Sequence, residues 1–138
     1  MSTFAHTFVS DFFAALNRHD IPSALKFFAP DAAYEDAALG VIKRGHEEIG
    51  KFFGVLFDCY ANVHHTLHNA VGDEERIAWE WTLEANYVRT SYTGIAASGQ
   101  KISVRGASFA RFEGGRVVWH TDYWDIATMR RQIESKTA

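Results

Sequence analysis

Residues 111–125 read RFEGGRVVWHTDYWD, and this stretch decides the fold. On either side of Glu113–Arg116 the side chains alternate between apolar and polar. The central Gly-Gly pair is typical of a tight turn between antiparallel strands. The pattern therefore predicts a hairpin, with one strand over Lys101–Phe112 and the other over Val117–Trp124.

Upstream of this hairpin the hydrophobic period changes once. Alternation with a period of two continues back through Ile77–Ala85 and Val63–Val71, which predicts two more strands. Before them, apolar residues recur at helical spacing over His46–Tyr60 and over Phe4–Asn17, where Ser2 or Thr3 is available as a cap. The first part of the chain is therefore mainly helical and the second part mainly strand.

Shorter elements fill the gaps between these segments. Asp20 is expected to cap a short helix that carries Pro22 in its first turn and ends at Ala29-Pro30. Asp125 is expected to cap a terminal helix. We also expect a strand over Ala32–Asp36 and a loop over Gly40–Gly45. The terminal helix is expected over Ile126–Glu134.

This order of elements predicts an α+β fold in which a curved antiparallel sheet packs against N-terminal helices to form a cone. The wide end of such a cone can be a pocket. No linker, repeat or low-complexity segment divides the chain, so residues 1–138 are expected to form a single domain.

Composition narrows the possible functions. The chain has 47% hydrophobic residues, with 4 Trp, 5 Tyr and 11 Phe, enough for a core and for the lining of a cavity. A net charge of −3 without a basic run argues against nucleic-acid binding. The single cysteine, Cys59, excludes an intrachain disulfide and favours a reducing compartment. Without a long apolar run, the chain is expected to be cytoplasmic and to bind no membrane.

The last strand carries the main candidates for chemistry. Side chains alternate with a period of two, so His120, Asp122 and Trp124 share one face. If that face lines the pocket, burial is expected to raise the pKa of Asp122 and make it a proton carrier, with His120 assisting. Asp36 and Tyr34 share a face of the first strand and are further candidates. The alternative is that Asp122 is a structural carboxylate and that Asp36 belongs to a turn.

The aromatic residues are expected to hold a flat or cyclic apolar ligand by stacking and burial. Alternatively, they fill the cone as an ordinary core. The candidate lining residues are Phe12, Phe52, Trp79, Trp81 and Trp124.

No metal or cofactor is expected. His64 and His68 share a strand face but lie about 13 Å apart, at about 3.3 Å per residue, and His65 points the other way. These histidines are therefore poorly placed to chelate a metal.

Three stretches of the chain resemble the nuclear transport factor two-like superfamily, which has a cystatin-like fold. The first stretch begins with Phe13-Ala14-Ala15-Leu16-Asn17-Arg18-His19-Asp20 and ends with Phe28-Ala29-Pro30-Asp31. The second is Arg44-Gly45-His46-Glu47-Glu48-Ile49 followed by Phe52-Phe53. The third runs from Arg111 to Asp125. Within the superfamily, the SnoaL-like proteins and the ketosteroid isomerases are most similar. The resemblance implies a cone-shaped α+β fold, but function varies widely on this fold.

In ketosteroid isomerases an Asp of a Glu-Asp pair after the first strand moves a proton, and the resemblance gives that place to Asp36. The tyrosine of their first helix falls at Phe12, and their second aspartate falls at about Ser108. Ser108 can donate one hydrogen bond, but without the main donors of the oxyanion hole steroid isomerisation is disfavoured.

Two other groups carry an aspartate on the last strand, where this chain has Asp122. Limonene-type epoxide hydrolases also need an Arg and a second Asp from a strand where this chain offers Trp79, Trp81 and Leu83. SnoaL-type cyclases use the aspartate as general acid and base for an aldol closure, and no essential partner of theirs is missing here.

The sequence therefore favours a SnoaL-like protein that binds a small apolar or cyclic molecule and performs cofactor-free proton transfer, with epoxide hydrolysis as the second enzymatic reading. The rival is a non-catalytic module that binds a ligand or a partner. Trp119, Tyr123 and Phe109 on the outer sheet face indicate a homodimer. The loop over Arg89–Gly99 is expected to be mobile beside the pocket.

Overall fold

The structure is a computed structural model that describes residues 3–135, so Ser2 lies outside the described residues. The helices are α1 (Phe4–Asn17), α2 (Ile21–Leu25), α3 (Gly45–Cys59) and α4 (Ile126–Glu134). The strands are β1 (Phe28–Asp36), β2 (Val41–Arg44), β3 (Tyr60–Gly72), β4 (Arg76–Tyr87), β5 (Gln100–Glu113) and β6 (Arg116–Trp124). No helix in this range is long and apolar enough to cross a membrane.

Side-chain caps begin three of the helices where the sequence predicts. Thr3 accepts a hydrogen bond from the His6 amide at 3.1 Å, and Asp20 accepts one from the Ser23 amide at 3.1 Å. Asp125 accepts one from the Ala127 amide at 3.0 Å. Each cap satisfies an amide that the helix itself leaves unpaired. These caps confirm the predicted starts of α1, α2 and α4.

The six strands form one sheet in the order β2-β1-β6-β5-β4-β3. From β3 to β6 each strand pairs antiparallel with the next, which confirms the predicted succession and the hairpin at Glu113–Arg116. β1, however, pairs parallel with β6 and places Asp36 beside Asp122. The sheet is therefore mixed. β1 and β6 are neighbours in the sheet although most of the chain lies between them in sequence, so no hairpin joins them.

Two predicted elements differ in the structure. The second helix ends at Leu25, and Ala29-Pro30 lies inside β1. The ladder between β1 and β6 is interrupted between Phe28 and Ala33, so the missing amide of Pro30 falls where pairing is already broken. The predicted loop Gly40–Gly45 contains β2, which pairs with β1 as a short edge strand.

The helices pack on one face of the sheet, with α1 against β3, α3 against β1 and α4 against β5. On that face, Trp81 of β4 lies across the backbone of its neighbour Gly106 on β5. A Cβ at Gly106 would come within 2.3 Å of the Trp81 ring. Glycine is therefore required at this position because the indole occupies the space of a side chain.

We expect Gly106→Ala to lower the free energy of unfolding by about 1–3 kcal/mol, since the indole must leave its position. Gly54→Ala is the matched control, because a Cβ there meets nothing within 4 Å and alanine favours the helix by about 1 kcal/mol. Urea denaturation of both variants measures the difference. A Gly106→Ala protein as stable as the wild type would contradict the packing described here.

Candidate functional site

The concave side of the sheet and the helices enclose a cavity of about 180 Å³. His120, Asp122 and Trp124 line it from β6, as the alternation in the last strand predicts. All ten residues singled out from the sequence contribute to its wall: Phe12, Tyr34, Asp36, Phe52, Trp79, Trp81, Ser108, His120, Asp122 and Trp124. The candidate residues therefore share one cavity wall, and the role of each stays a prediction.

Three side chains hold the Asp122 carboxylate. Ser108 Oγ donates to Oδ1 at 2.5 Å, and His120 Nε2 lies 2.7 Å from the same oxygen. The Tyr34 hydroxyl donates to Oδ2. A carboxylate has about four lone-pair sites, so these contacts leave one site on Oδ2. Asp122 keeps 15% of its side chain exposed and lines the cavity.

A further hydrogen bond orients one of these donors. Trp81 Nε1 donates to Ser108 Oγ at 2.8 Å, so the serine hydroxyl accepts from the indole and gives its own proton to Asp122. This chain of donors depends on the space at Gly106, over which the Trp81 ring lies. Ser108 and Trp81 thus support the carboxylate as well as lining the cavity, and their contact with a substrate stays a prediction.

The electrostatic balance at Asp122 differs from the sequence expectation. Burial raises the pKa of this carboxyl, as predicted, but the neighbouring His120 and the hydrogen bonds from His120, Ser108 and Tyr34 lower it more. The net effect holds the pKa of Asp122 below its ordinary value of 3.8. Asp122 is therefore a carboxylate at neutral pH, able to accept a proton but not to supply one.

Asp36 has the opposite balance. Burial raises its pKa above the ordinary value, and the hydrogen bonds from Trp124 and from the Leu39 amide offset this only in part. Trp124 Nε1 lies 3.0 Å from both carboxyl oxygens, and the Leu39 amide lies 3.0 Å from Oδ1. The negative charge of Asp122 also raises the pKa of Asp36. The carboxyl groups of Asp122 and Asp36, on adjacent strands, thus have pKa values that are shifted in opposite directions.

The His120 ring is enclosed by aromatic side chains. Tyr34 stacks on it with ring centroids 4.1 Å apart, and Trp79 contacts it edge-on at 5.2 Å. Nε2 carries the proton that faces Asp122, and Nδ1 is unpaired. Within residues 3–135, the other buried side-chain nitrogen without a hydrogen-bond partner is Trp79 Nε1. The aromatic wall therefore holds His120 as a donor to the carboxylate.

Tyr34, Phe12 and Phe52 complete the predicted lining. The Tyr34 ring packs against Phe52 at 5.4 Å, while its hydroxyl is used on Asp122. Phe12 is buried in the aromatic cluster, where its ring lies 6.1 Å from His120. No arginine lines the cavity among the residues that the structure describes.

Two parts of the cavity wall were not among the candidate site residues, although the loop over Arg89–Gly99 was expected beside the pocket. His65 lines the cavity from β3 and is held by Asn17. Ser91 and Tyr92 line it from the loop between β4 and β5. The alternation of β3 does place His65 opposite His64, but nothing in the sequence shows which of the two faces inward.

Tyr87 organises the loop over residues 88–99. Its hydroxyl accepts from the Ser91 amide at 2.9 Å, donates to the Ile95 carbonyl at 2.6 Å, and contacts Thr93 Oγ1 at 3.1 Å. Tyr87 itself is fully buried at the end of β4. A single phenol oxygen therefore sets the course of the loop that brings Tyr92 to the cavity.

Residues 3–135 contain no group of three His, Cys, Asp or Glu side chains placed to hold a metal ion. His64 and His68 are exposed, and His68 Nε2 lies 2.6 Å from Thr82 Oγ1. His64, His65 and His68 of β3 thus lie in different surroundings, with His65 at the cavity and the other two exposed.

Comparison with known families places this site in a wider context. A family model described as a SnoaL-like domain matches residues 9–120, which is most of the chain. The chain belongs to the SnoaL-like domain family. This membership agrees with the cone-shaped α+β fold and with the cavity between helices and sheet. A search of curated proteins finds no match.

Solved structures show the same fold for this SnoaL-like chain. A candidate polyketide cyclase from Xanthomonas campestris pv. campestris is 22% identical with a TM-score of 0.81, covering 92% of this chain and 94% of its own. A protein with a ketosteroid isomerase-like fold from Catenulispora acidiphila is 21% identical with a TM-score of 0.81, covering 96% and 95%. A nuclear transport factor two-like protein of unknown function from Burkholderia pseudomallei is 26% identical with a TM-score of 0.77, covering 94% and 96%.

We expect Tyr34→Phe to raise the pKa of Asp122, because the variant loses one hydrogen bond that favours the charged carboxylate. A carboxyl with a lowered pKa stabilises the fold above its ordinary pKa, and this stabilisation is lost as the pH falls through the lowered value. In the variant the loss therefore begins at a higher pH. Carboxyl ¹³C NMR titration and melting curves at acidic pH measure both effects. Tyr123→Phe, on the exposed outer face, is the control, and an equal change in both variants would refute the assignment.

Proposed function

We propose that this SnoaL-like chain is an enzyme that moves protons, without a cofactor, on a small apolar or cyclic molecule bound in the cavity. The observation that carries the proposal is the pair of carboxyl groups on adjacent strands, Asp122 and Asp36, whose pKa values shift in opposite directions. Such a pair is how acid and base roles are divided in one site.

In this proposal Asp122 is the general base. Its unoccupied lone-pair site on Oδ2 accepts a proton from a carbon next to a carbonyl group, and the electron pair of the broken C–H bond moves to the carbonyl oxygen as an enolate. Tyr34, Ser108 and His120 orient Asp122 for this step. Asp36 is proposed to act in its protonated form, which burial favours, and to give a hydrogen bond or a proton to the enolate oxygen. The proton held by Asp122 then returns to another carbon, which isomerises the substrate, or the enolate carbon attacks a second carbonyl and the new alkoxide takes up that proton, which closes a ring.

The cavity itself favours an enzyme over a binding module. A filled cone would support a purely structural domain, whereas here about 180 Å³ remains with Asp122 on the wall. Epoxide hydrolysis is less well supported, because Trp79, Trp81 and Leu83 line the cavity where an Arg–Asp pair would be needed. Ligand binding without turnover is the alternative that the experiment below can reveal.

Hydrogen exchange at carbon provides the sharpest test, because it detects proton abstraction even when no product accumulates. A panel of cyclic ketones and β-keto esters in D₂O is followed by NMR and mass spectrometry. We expect wild-type protein to catalyse exchange next to the carbonyl in at least one compound, and Asp122→Asn to lower that rate by about a hundredfold or more. Asp31→Asn, on the exposed part of β1, is the control.

The results separate the two roles. If Asp122→Asn exchanges as fast as the wild type while binding the compound equally, Asp122 is not the base. If Asp36→Asn alone keeps the wild-type rate, only the acid role assigned to Asp36 fails. Binding without exchange across the panel would support the ligand-binding alternative. The melting temperature of each variant shows whether it is folded.

We further propose a cytoplasmic homodimer formed through the outer face of the sheet. Phe109 on β5 and Tyr123 on β6 are 37% and 55% exposed on that face, near Trp119. Large exposed aromatic side chains favour a partner surface, and a second copy is the commonest partner. The location rests on the lone Cys59, which suits a reducing compartment.

The dimer is tested by sedimentation at micromolar concentration. We expect a species of twice 15.6 kDa for the wild type and a monomer for Tyr123→Glu, because a buried carboxylate without a partner opposes association. Exposed Val55, on α3, supplies the control substitution Val55→Glu. A wild type that sediments only at 15.6 kDa would exclude this interface at that concentration.

A further inference from the structure

His65 faces the cavity because β3 contains a bulge. Ala61 pairs with Asn86, but His64 pairs with Glu84, so two residues of β3 oppose one of β4. Asn62, inside the bulge, has a positive φ of 56°. A bulge of this kind changes which side chains of a strand point inward, and such bulges are common next to binding sites. Beyond it, His64 is exposed while His65 contributes to the cavity wall.

Asn17, the last residue of α1, fixes the proton on the His65 ring. Its Nδ2 donates to the His65 carbonyl at 3.0 Å, and its Oδ1 accepts from the His65 amide at 2.7 Å. These two hydrogen bonds to the His65 backbone determine which end of the Asn17 side-chain amide is the oxygen. His65 Nδ1 lies 3.3 Å from the same Oδ1, which can only accept, so Nδ1 carries the ring proton.

The other ring nitrogen, Nε2, is therefore a bare acceptor. No residue between 3 and 135 hydrogen-bonds to it, and it is not among the fully buried unpaired nitrogens. Phe13 packs on the ring with centroids 5.1 Å apart and holds it in place. Burial lowers the pKa of His65 to about 4, against a smaller raising effect of Asp122, so the ring stays neutral.

We propose that Nε2 of His65 is the acceptor of a second polar subsite, which binds a hydroxyl group of the ligand. β4 and β5 separate His65 on β3 from Asp122 on β6, so the two groups contact different parts of one molecule. The expected ligand is an apolar ring with two polar features. It carries a hydroxyl group, and it carries the C–H bond next to a carbonyl group from which Asp122 takes the proton. A cavity of about 180 Å³ suits a ligand of about one ring, since a 150 Å³ cavity holds benzene. The inference rests on the proposed function only in taking this cavity as the ligand site.

A pair of probes isolates the hydroxyl group. 4-Propylphenol and 4-propyltoluene have the same apolar body, and only the phenol can donate a hydrogen bond. Calorimetry gives the ratio of their dissociation constants for each protein. We expect His65→Phe, which keeps an aromatic ring against Phe13, to lower the preference for the phenol by about tenfold. His65→Gln retains an acceptor and is expected to recover part of that preference.

Two further variants separate this inference from the role of Asp122. His64→Phe, on the exposed side of the same strand, is expected to leave the preference unchanged. If Asp122→Asn abolishes the preference and His65→Phe does not, the phenol binds Asp122 and the inference about His65 is overturned. If His65→Phe abolishes it while Asp122→Asn retains wild-type exchange at carbon, the subsite stands and the proposed base fails.

The ring nitrogens of the wild-type protein give a readout that needs no variant. We expect imidazole ¹⁵N NMR to show His65 as the Nδ1–H tautomer, with the Nε2 signal shifting as 4-propylphenol is added. A proton on Nε2 in the ligand-free protein, or an Nε2 signal that does not respond to the phenol, overturns the inference.

Discussion

The Asp122 carboxylate lies in a largely apolar cavity, where an ionised group is stable only if donors replace the water it has lost. Tyr34 on β1, Ser108 on β5 and its own neighbour His120 on β6 provide these donors. The carboxylate therefore ties three adjacent strands together at one end of the sheet. The parallel pairing of β1 with β6 is part of this arrangement, because it is the pairing that brings Tyr34 and Asp36 beside Asp122.

A consequence of this arrangement is that the two acidic groups of the cavity are not equivalent. At Asp122 the charge of His120 and the hydrogen bonds from three side chains outweigh burial, whereas at Asp36 the Trp124 indole and the backbone amides do not. Both face the same space. Their different hydrogen-bond environments give the opposite pKa shifts on which the proposed base and acid roles rest.

Much of this molecule follows from patterns within single segments. Alternation in 117–124 predicts the inward face of His120, Asp122 and Trp124, and the helical spacing predicts α1 with its bounds. What depends on two distant segments could not be read in this way. The edge strand β2 exists because it pairs with β1, and the sheet is mixed because β1 lies beside β6.

The electrostatics of the site also combine a part that follows from one segment with a part that depends on distant segments. Burial of Asp122 could be predicted from the aromatic residues around it, but the lowered pKa depends on donors from β1 and β5 whose positions only the folded chain defines. His65 is a similar case. Its inward position follows from the extra residue in β3 near Asn62, and an isolated run of alternating residues does not reveal such an insertion.

The loop over 88–99 takes its course from Tyr87, a residue of the sheet, rather than from its own side chains alone. The scaffold thus carries the anchor, and the loop contributes Ser91 and Tyr92 to the cavity wall. In evolutionary terms, Tyr92 can change without altering the anchor, whereas the Ser91 side chain contacts the Tyr87 hydroxyl and is tied to it. Descendants of such a protein can acquire new ligands by substitution within the loop while the carboxylate and its donors stay unaltered.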